Sequence, residues 1–411
     1  MAQQPNIHVL MSDEHDAAVT GCYGDLVVRT PHLDRLARER IVFTHAFSTS
    51  SLCRPTLRSL LTGLEPYTVE VRIAAARRVE RARPALEEVF ETLPERLGER
   101  GYVSFQGGKF WEGTFEMGGF THGMTRTFST AAMFTKDLTK LCGSEGLTLG
   151  RETLQPLWDF LDVHSDRPFF VWYAPMLPHA PFDAPERFRR LYEGDPVPPS
   201  VRRYRANLTR FDATVGEVLD RLEELGLRQN TLVLYVSDNG WNSAPDAPIS
   251  VMGGSKGKGS IYELGFRTPL VLSWPGVLAA GARDDRLVSL VDVFATILDF
   301  AGAEPVPCAS GRSLLPLLVG RGDFQRESVI GGRFDQRPRP LFLRTRTWRY
   351  VWFPRDQPEE LYKIEEDPFE TRNVADAHPE QIGRFRDELA RWVVRIEREA
   401  RECAFKETGE R

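Results

Sequence analysis

The chain has 411 residues, 41% of them hydrophobic and 27% charged, with a formal net charge of -5. That length exceeds what one compact core usually holds and predicts a large domain with a smaller companion. The mild acidity, with no long basic tract, excludes nucleic acid as an expected partner, and the lack of any apolar run of about 18 residues excludes an expected membrane span.

In chain order, Met1–Asp13 has neither a basic start nor a long apolar run, so no signal peptide is expected. Within it, Ile7–Met11 reads as a buried strand ending in Ser12-Asp13. Pro31–Ile41 has helical spacing at Leu33, Leu36 and Ala37, and Tyr102–Phe105 is a second strand, ending in Gly107-Gly108-Lys109. A helix over Glu152–His164 precedes a third strand, Phe169–Ala174. Leu208–Leu225 is an amphipathic helix, Thr231–Val236 a fourth strand ending in Ser237-Asp238-Asn239-Gly240, and Leu270–Ser273 a fifth. Leu287–Ala303 reads as a helix because Asp292 and Asp299 interrupt its apolar run. After about residue 305, prolines punctuate the chain, strand-like pieces follow at Leu341–Arg344 and Trp348–Phe353, and a final helix covers about Pro379–Ala400. The expectation is an α/β domain over 1–305, with a parallel or mixed sheet between helices, and a small α+β domain over 306–411.

Ligands on such sheets bind beyond the carboxyl ends of the strands, which selects Asp13, Lys109, His179 and Asp238. Asp13-Glu14 and Asp238-Asn239 offer three carboxylates and an amide oxygen, hard ligands suited to calcium or magnesium. The alternative is that Asp-Asn-Gly is only a turn and Asp13 a helix cap. Cys53 stands just before Pro55, a residue suited to the first turn of a helix, where the dipole favours a thiolate or a bound anion. Its alternative is a buried structural cysteine. Lys109 follows Gly108, and Lys256-Gly257-Lys258-Gly259 puts two ammonium groups in a glycine-rich turn without the spacing of a P-loop. His179, between Pro178 and Pro181, is placed to donate a proton to a leaving oxygen, or is structural.

The five cysteines, Cys22, Cys53, Cys142, Cys308 and Cys403, are few and widely spaced, so neither a disulfide framework nor a zinc site is expected. With no signal peptide, this gives a cytoplasmic expectation, and the Asn207-Leu208-Thr209 sequon matters only if that is wrong.

Taken in order, these pieces resemble the type I sulfatases of the alkaline phosphatase superfamily over nearly the whole chain. Asn6-Ile7 through Asp13-Glu14-His15 is similar to the family's opening strand and metal pair, and Thr30-Pro31-His32-Leu33 to the helix that follows. Cys53 to Gly63 falls on the nucleophile signature, Cys-x-Pro-x-Arg with a later Thr-Gly. Lys109, His179, Asp238-Asn239-Gly240, Lys258-Gly259, Tyr262-Glu263 and Glu360-Leu361-Tyr362 match further positions. The resemblance implies a large, mostly parallel sheet sandwiched by helices, with the small C-terminal domain. It implies that a formylglycine-generating enzyme oxidises Cys53 to formylglycine, whose hydrated aldehyde attacks the sulfur of a small sulfated substrate. Asp13, Glu14, Asp238 and Asn239 would hold one divalent cation, calcium first and magnesium or manganese as alternatives. Lys109 and Lys258 would bind the sulfate oxygens, and His179 would assist the leaving group.

Three positions depart from the family pattern. Leu57 stands where the signature has Arg, with Arg58 one residue late, a rotation of about 100° on a helix. Trp111 replaces a site histidine, and Glu14 replaces the more usual Asp or Gln. Two alternatives follow: a phosphonate monoester or phosphodiester hydrolase on the same site, and a non-catalytic relative that kept the fold. Substrate choice is expected from loops such as Arg126–Leu149 and Arg333–Arg344, and oligomeric state is left open, a homo-oligomer through the C-terminal region being one option.

Overall fold

The structure, a computed structural model, describes residues 4–80, 84–126, 146, 148–242, 254–335, 339–355 and 357–402, with 78–80 as backbone only. The strands are β1 (Asn6–Ser12), β2 (Ile41–Phe47), β3 (Val103–Gly108), β4 (His122–Gly123), β5 (Phe169–Ala174), β6 (Thr231–Ser237), β7 (Arg267–Ser273), β8 (Ala282–Ser289), β9 (Val329–Gly332), β10 (Leu341–Arg344), β11 (Trp348–Trp352) and β12 (Glu360–Lys363). The main helices are α1 (Pro31–Glu39), α2 (Cys53–Thr62), α3 (Pro66–Glu80), α4 (Gln155–His164), α5 (Pro199–Glu224), α6 (Leu290–Phe300) and α7 (Pro379–Glu402).

The first eight strands form one sheet in the order β4-β3-β5-β1-β6-β7-β2-β8. β1 is parallel to β5 and β6, β3 is parallel to β4 and β5, and β7 runs antiparallel to both β6 and β2. The sheet is therefore mixed and mostly parallel. Side chains alternate across a strand, and β1 serves two cores: Ile7, Val9 and Met11 pack with Leu57 and Leu60 of α2 and Phe294 of α6. Leu10 packs on the other face with Leu36 of α1, Leu157 of α4 and Val215 of α5. Burial on both faces is why the central strands read as continuous apolar runs.

Two strands are not visible as such runs. β2 contains Thr44 and His45, and edge strand β8 begins Ala-Arg-Asp-Asp-Arg with alternate residues exposed. Leu287–Ser289, assigned from sequence to a helix, ends β8 instead. The helix starts at Leu290, where the Asp292 carboxylate accepts the Ser289 N–H at 2.9 Å.

The second sheet, β12-β11-β10-β9, is antiparallel. One face packs Leu343, Tyr350 and Leu361 on Phe385, Leu389 and Trp392 of α7, and the other packs Phe342, Val351 and Tyr362 against Phe47 and Leu287 of the large sheet and Phe266 just before β7. Beside this contact lies a buried ionic group. Arg344 and Arg349 donate to the Glu263 carboxylate at 2.9 and 3.1 Å, and Arg349 also donates to the Ile261 carbonyl at 2.6 Å. The small sheet thus grips the turn that follows Lys258.

Cys308 is engaged in a disulfide, a bond the sparse cysteine pattern does not announce. No helix among the described residues is long and apolar enough to cross a membrane.

Helix α1 takes its N-terminal cap from outside: Asp212 of α5 accepts the backbone N–H groups of His32 and Leu33 at 3.1 and 2.8 Å. Replacing Asp212 by Ala is expected to cost about 1–2 kcal/mol, read as a lower urea midpoint with an unchanged slope.

Candidate active site

Because β1 lies between β5 and β6, their carboxyl ends bring three segments together. The Asp13 N–H donates to Leu177 O at 2.8 Å in the turn after β5, and the Asp238 N–H donates to Ser12 O at 3.3 Å. Lys109 follows β3 through Gly108, whose φ of 87° and whose backbone, 2.2 Å from Ala174 O at the place of a Cβ, both require glycine. The Lys109 N–H then donates to Ala174 O at 2.6 Å.

Lys109 Nζ lies 2.5 Å from Asp13 Oδ1 and 3.1 Å from Asp238 Oδ2, so one buried ammonium bridges both carboxylates. Glu14 adopts φ 65°, a left-handed value costly for a side chain of this kind. Its N–H donates to Asp238 Oδ1 at 3.0 Å, and its carbonyl accepts from Tyr204 Oη at 2.9 Å, which holds it there. Glu14 Oε1 pairs with His179 Nε2 at 2.9 Å and with Lys258 Nζ. Lys258 Nζ also reaches Cys53 Sγ at 2.9 Å, and Sγ lies 3.8 Å from Asp13 Oδ1. All eight residues singled out in the sequence fall within this one cluster or its adjoining turn. Asn239 is fully buried beside it and donates to Gly240 O at 2.6 Å.

The charges are interdependent. Burial raises the Asp13 and Glu14 pKa values, but the neighbouring cations prevail: Lys109, His179 and Lys258 hold Asp13 below the usual carboxylate range, and Lys258 and His179 bring Glu14 to about 2. Burial opposes the charge on Lys109, yet Asp13 and Asp238 hold its pKa well above normal. At Cys53, the first residue of α2, burial and then Asp238 push the thiol up to about 12 against the pull of Lys109 and Lys258. Two buried oxygens, Asp13 Oδ2 and Asn239 Oδ1, have no hydrogen-bond partner, and Asp13, Glu14 and Cys53 present ligand atoms within 4.8 Å of one another.

The altered signature is explained by its surroundings. Leu57 is 2% exposed and packs in the core. Arg58 points elsewhere: it donates to both oxygens of Glu112 at 2.9 and 3.0 Å and to Glu70 at 2.7 Å. Arg54 clasps the same Glu112 at 2.7 and 3.0 Å. Arg58 therefore does not stand in for the missing arginine. Trp111 lies beside Lys109, whose Nζ is 5.6 Å from the ring centroid.

Sequence reading missed the clamp on His179. Asn207 Nδ2 donates to Pro178 O, His179 O and Pro181 O at 3.2, 3.3 and 3.0 Å. Arg151 Nη2 adds bonds to Met176 O and His179 O at 2.7 and 3.0 Å. His179 Nδ1 contacts Ala180 O at 2.7 Å, which directs Nε2 inward. Asn207 is fully buried in α5, so the Asn-Leu-Thr triplet is not an exposed glycan acceptor. Tyr204, in the arginine-rich start of α5, was missed for the same reason: charged neighbours hide the periodicity. Most of Arg126–Leu149 lies outside the described residues, and Arg333–Arg344 is a turn running into β10, described except for 336–338.

Comparison with known proteins defines the class. A family model described as Sulfatase matches residues 5–303, and one described as N-sulphoglucosamine sulphohydrolase, C-terminal, matches residues 254–397. The fold is similar to that of a Bacteroides thetaiotaomicron protein solved in work on glycosaminoglycan metabolism, with TM-score 0.76, 22% identity and coverage of 95% of this chain and 99% of that one. It is also similar to the phosphonate monoester hydrolase of Agrobacterium radiobacter, with TM-score 0.74, 18% identity and 96% of each chain covered. The chain belongs to the sulfatase family, as a type I member of the alkaline phosphatase superfamily. Among individual relatives, it is 30% identical to N-acetylgalactosamine-6-sulfatase of Rattus norvegicus, over 77% of this chain and 66% of that enzyme's length.

Gly240 ties the metal-type pair to the Lys258 turn, since a Cβ there would lie 1.7 Å from Leu264 O. Gly240→Ala is expected to cost about 1–3 kcal/mol by overpacking, measured as a lower melting midpoint.

Proposed function

We propose that the chain hydrolyses a sulfate ester, with Cys53 as the precursor of a formylglycine nucleophile and a divalent cation held by Asp13, Glu14, Asp238 and Asn239. The observation that carries this reading is the convergence of Cys53 Sγ, Lys258 Nζ, Lys109 Nζ and Asp13 within hydrogen-bonding reach. The cation assignment rests on donor chemistry. Asp13 Oδ2 and Asn239 Oδ1 are buried oxygens without partners, and all four side chains offer the hard oxygens that calcium prefers, with magnesium or manganese as alternatives. Three carboxylates against two lysines leave the cluster at -1, or neutral once His179 is protonated. A divalent cation makes it positive in either state, a balance suited to an anionic ester.

When bound, the cation neutralises the carboxylates and draws charge from the ester oxygens. Formylglycine, once made at Cys53 by a formylglycine-generating enzyme, would supply a hydrated aldehyde as the nucleophile there. The remaining work belongs to the chain's own side chains. Lys109 and Lys258 are fixed cations at the place where charge gathers on the sulfate oxygens. His179, with Nε2 directed inward and its charged form favoured by Asp13 and Glu14 against the effect of burial, is the proton donor to the leaving oxygen. A neutral, buried thiol is a poor nucleophile, which favours the oxidised form of Cys53 as the working group.

A small sulfated saccharide is the substrate class this reading favours, from the name of the rat relative and the subject of the Bacteroides structure. The division of labour is a catalytic domain over 1–305 and a smaller domain over 306–411, which braces the Lys258 turn.

The test is mass spectrometry of tryptic peptide Ile41–Arg58 from protein made with a formylglycine-generating enzyme, together with turnover of an aryl sulfate and an aryl phosphonate. An aldehyde at Cys53 with preference for the sulfate is expected, and Cys53→Ala should abolish turnover. Preference for the phosphonate would move the assignment to the phosphonate monoester class, and an unmodified thiol without turnover would make the chain a non-catalytic relative. Asp238→Ala is expected to lower turnover at least about a hundredfold and to remove the rise in melting temperature that calcium gives over EDTA. Retention of both would sink the cation site.

A further inference from the structure

Helix α2 carries Cys53 at one end and leads to Glu65 just past the other, roughly 15 Å away at 1.5 Å per residue. There, between Glu65, the segment leading into β9 and α7, lies a cavity of about 600 Å³, a size that accommodates a small ligand. Its lining includes Glu65, Arg312, Arg326, Arg391, Trp392 and Arg395. Nothing in the proposed hydrolysis uses it.

Glu65 is 6% exposed and lines the cavity, and among the described residues its carboxyl group has no hydrogen bond and no ion pair. A buried carboxyl left in this state is costly. Arg326 lies nearby, but its hydrogen bonds, at 3.1 and 2.5 Å, go to Asp292. At the rim, Arg391 is exposed and makes no ion pair among the described residues, and Arg395 has only a long 3.8 Å contact with Glu399. Glu327 and Glu388 also line the cavity, and Glu388 accepts a hydrogen bond from Ser328 at 2.5 Å.

A simple anion satisfies the rim arginines but offers no hydroxyl donor to the Glu65 carboxyl group. A neutral sugar can donate hydroxyls to Glu65 but leaves the arginines unused. A ligand with a carboxylate on one side and hydroxyl donors on the other meets both demands. We propose that this cavity is a second ligand site, distinct from the catalytic cluster, that binds an acidic monosaccharide with its carboxylate on Arg391 and Arg395 and its hydroxyls on Glu65. Burial pushes the Glu65 carboxyl up to about 7, which reduces its repulsion of an anionic sugar near neutral pH. The site stands or falls separately from the hydrolase reading.

The test is isothermal titration calorimetry of the full chain with glucuronate, and with glucose and inorganic sulfate as comparison probes. Glucuronate is expected to bind at one site, at least tenfold more tightly than either comparison probe. The Arg391→Ala/Arg395→Ala variant, changed only at exposed side chains, should bind it at least tenfold more weakly with unchanged aryl sulfate turnover. Glu65→Gln should weaken it further than any change in melting temperature explains, whereas Cys53→Ala should bind as the parent does. The proposal is overturned by absence of glucuronate binding, by equal binding of sulfate, by unchanged affinity in the double arginine variant, or by loss of binding in Cys53→Ala, which would place the ligand in the catalytic cluster.

Discussion

Three carboxylates crowd the carboxyl edge of one sheet, and the rest of the site is arranged around their mutual repulsion. Asp13 and Asp238 share the Lys109 ammonium, and Glu14 is tied to Lys258 and His179. Buried charges persist only when paired or coordinated. The members of this cluster are therefore coupled: removing Lys109 leaves two buried anions without their shared ammonium, and removing Glu14 takes the paired carboxylate from the Lys258 that faces Cys53 Sγ.

The scaffold supplies the fixed points. Parallel neighbours β5 and β6 set the level at which Asp13 and Asp238 emerge, because their registers with β1 are continuous hydrogen-bonded ladders. Segments that leave the sheet are held by separate devices. Asn207 and Arg151 fasten the His179 turn through its carbonyls, and the Gly259 N–H donates to Ser51 O at 2.9 Å, joining the Lys258 turn to the nucleophile loop. The small sheet adds Arg349, whose bonds to Ile261 O and Glu263 hold the far side of that turn. Its burial in an ionic group, rather than in an apolar contact, gives the turn a directional anchor.

Legibility in the sequence followed the range of the forces involved. Phe169–Ala174 and Leu341–Arg344 are read at their observed bounds because apolar runs buried on both faces report themselves locally. β2 and β8 are not, because they are strands by virtue of pairing with each other and, for β2, with β7, not by composition. The metal-type pairs, Cys53 and the lysines were visible as polar groups at strand ends or in glycine-rich turns, and the family resemblance assigned their roles. Asn207 had no such signal. Its triplet reads as a surface motif, and only the packing of α5 beneath the proline turn gives it three carbonyl partners. The disulfide at Cys308 was hidden in the same way, since cysteine spacing does not reveal which thiols meet.

The departure at Leu57 follows from these same constraints. An arginine at that position of α2 would have to leave the core that Leu57 shares with Leu60, Leu61 and Phe294. The chain instead places its arginines one residue after and three before, at Arg58 and Arg54, and binds both through a single buried carboxylate, Glu112. The Glu112 carboxylate thus holds both guanidiniums beside the start of the helix, with Glu70 also paired on the Arg58 side. The cation in direct contact with Cys53 is Lys258. Lys258, itself a position of the family pattern, contacts Cys53 Sγ at 2.9 Å without help from an arginine on α2, and so the altered motif and the intact cluster coexist in one chain.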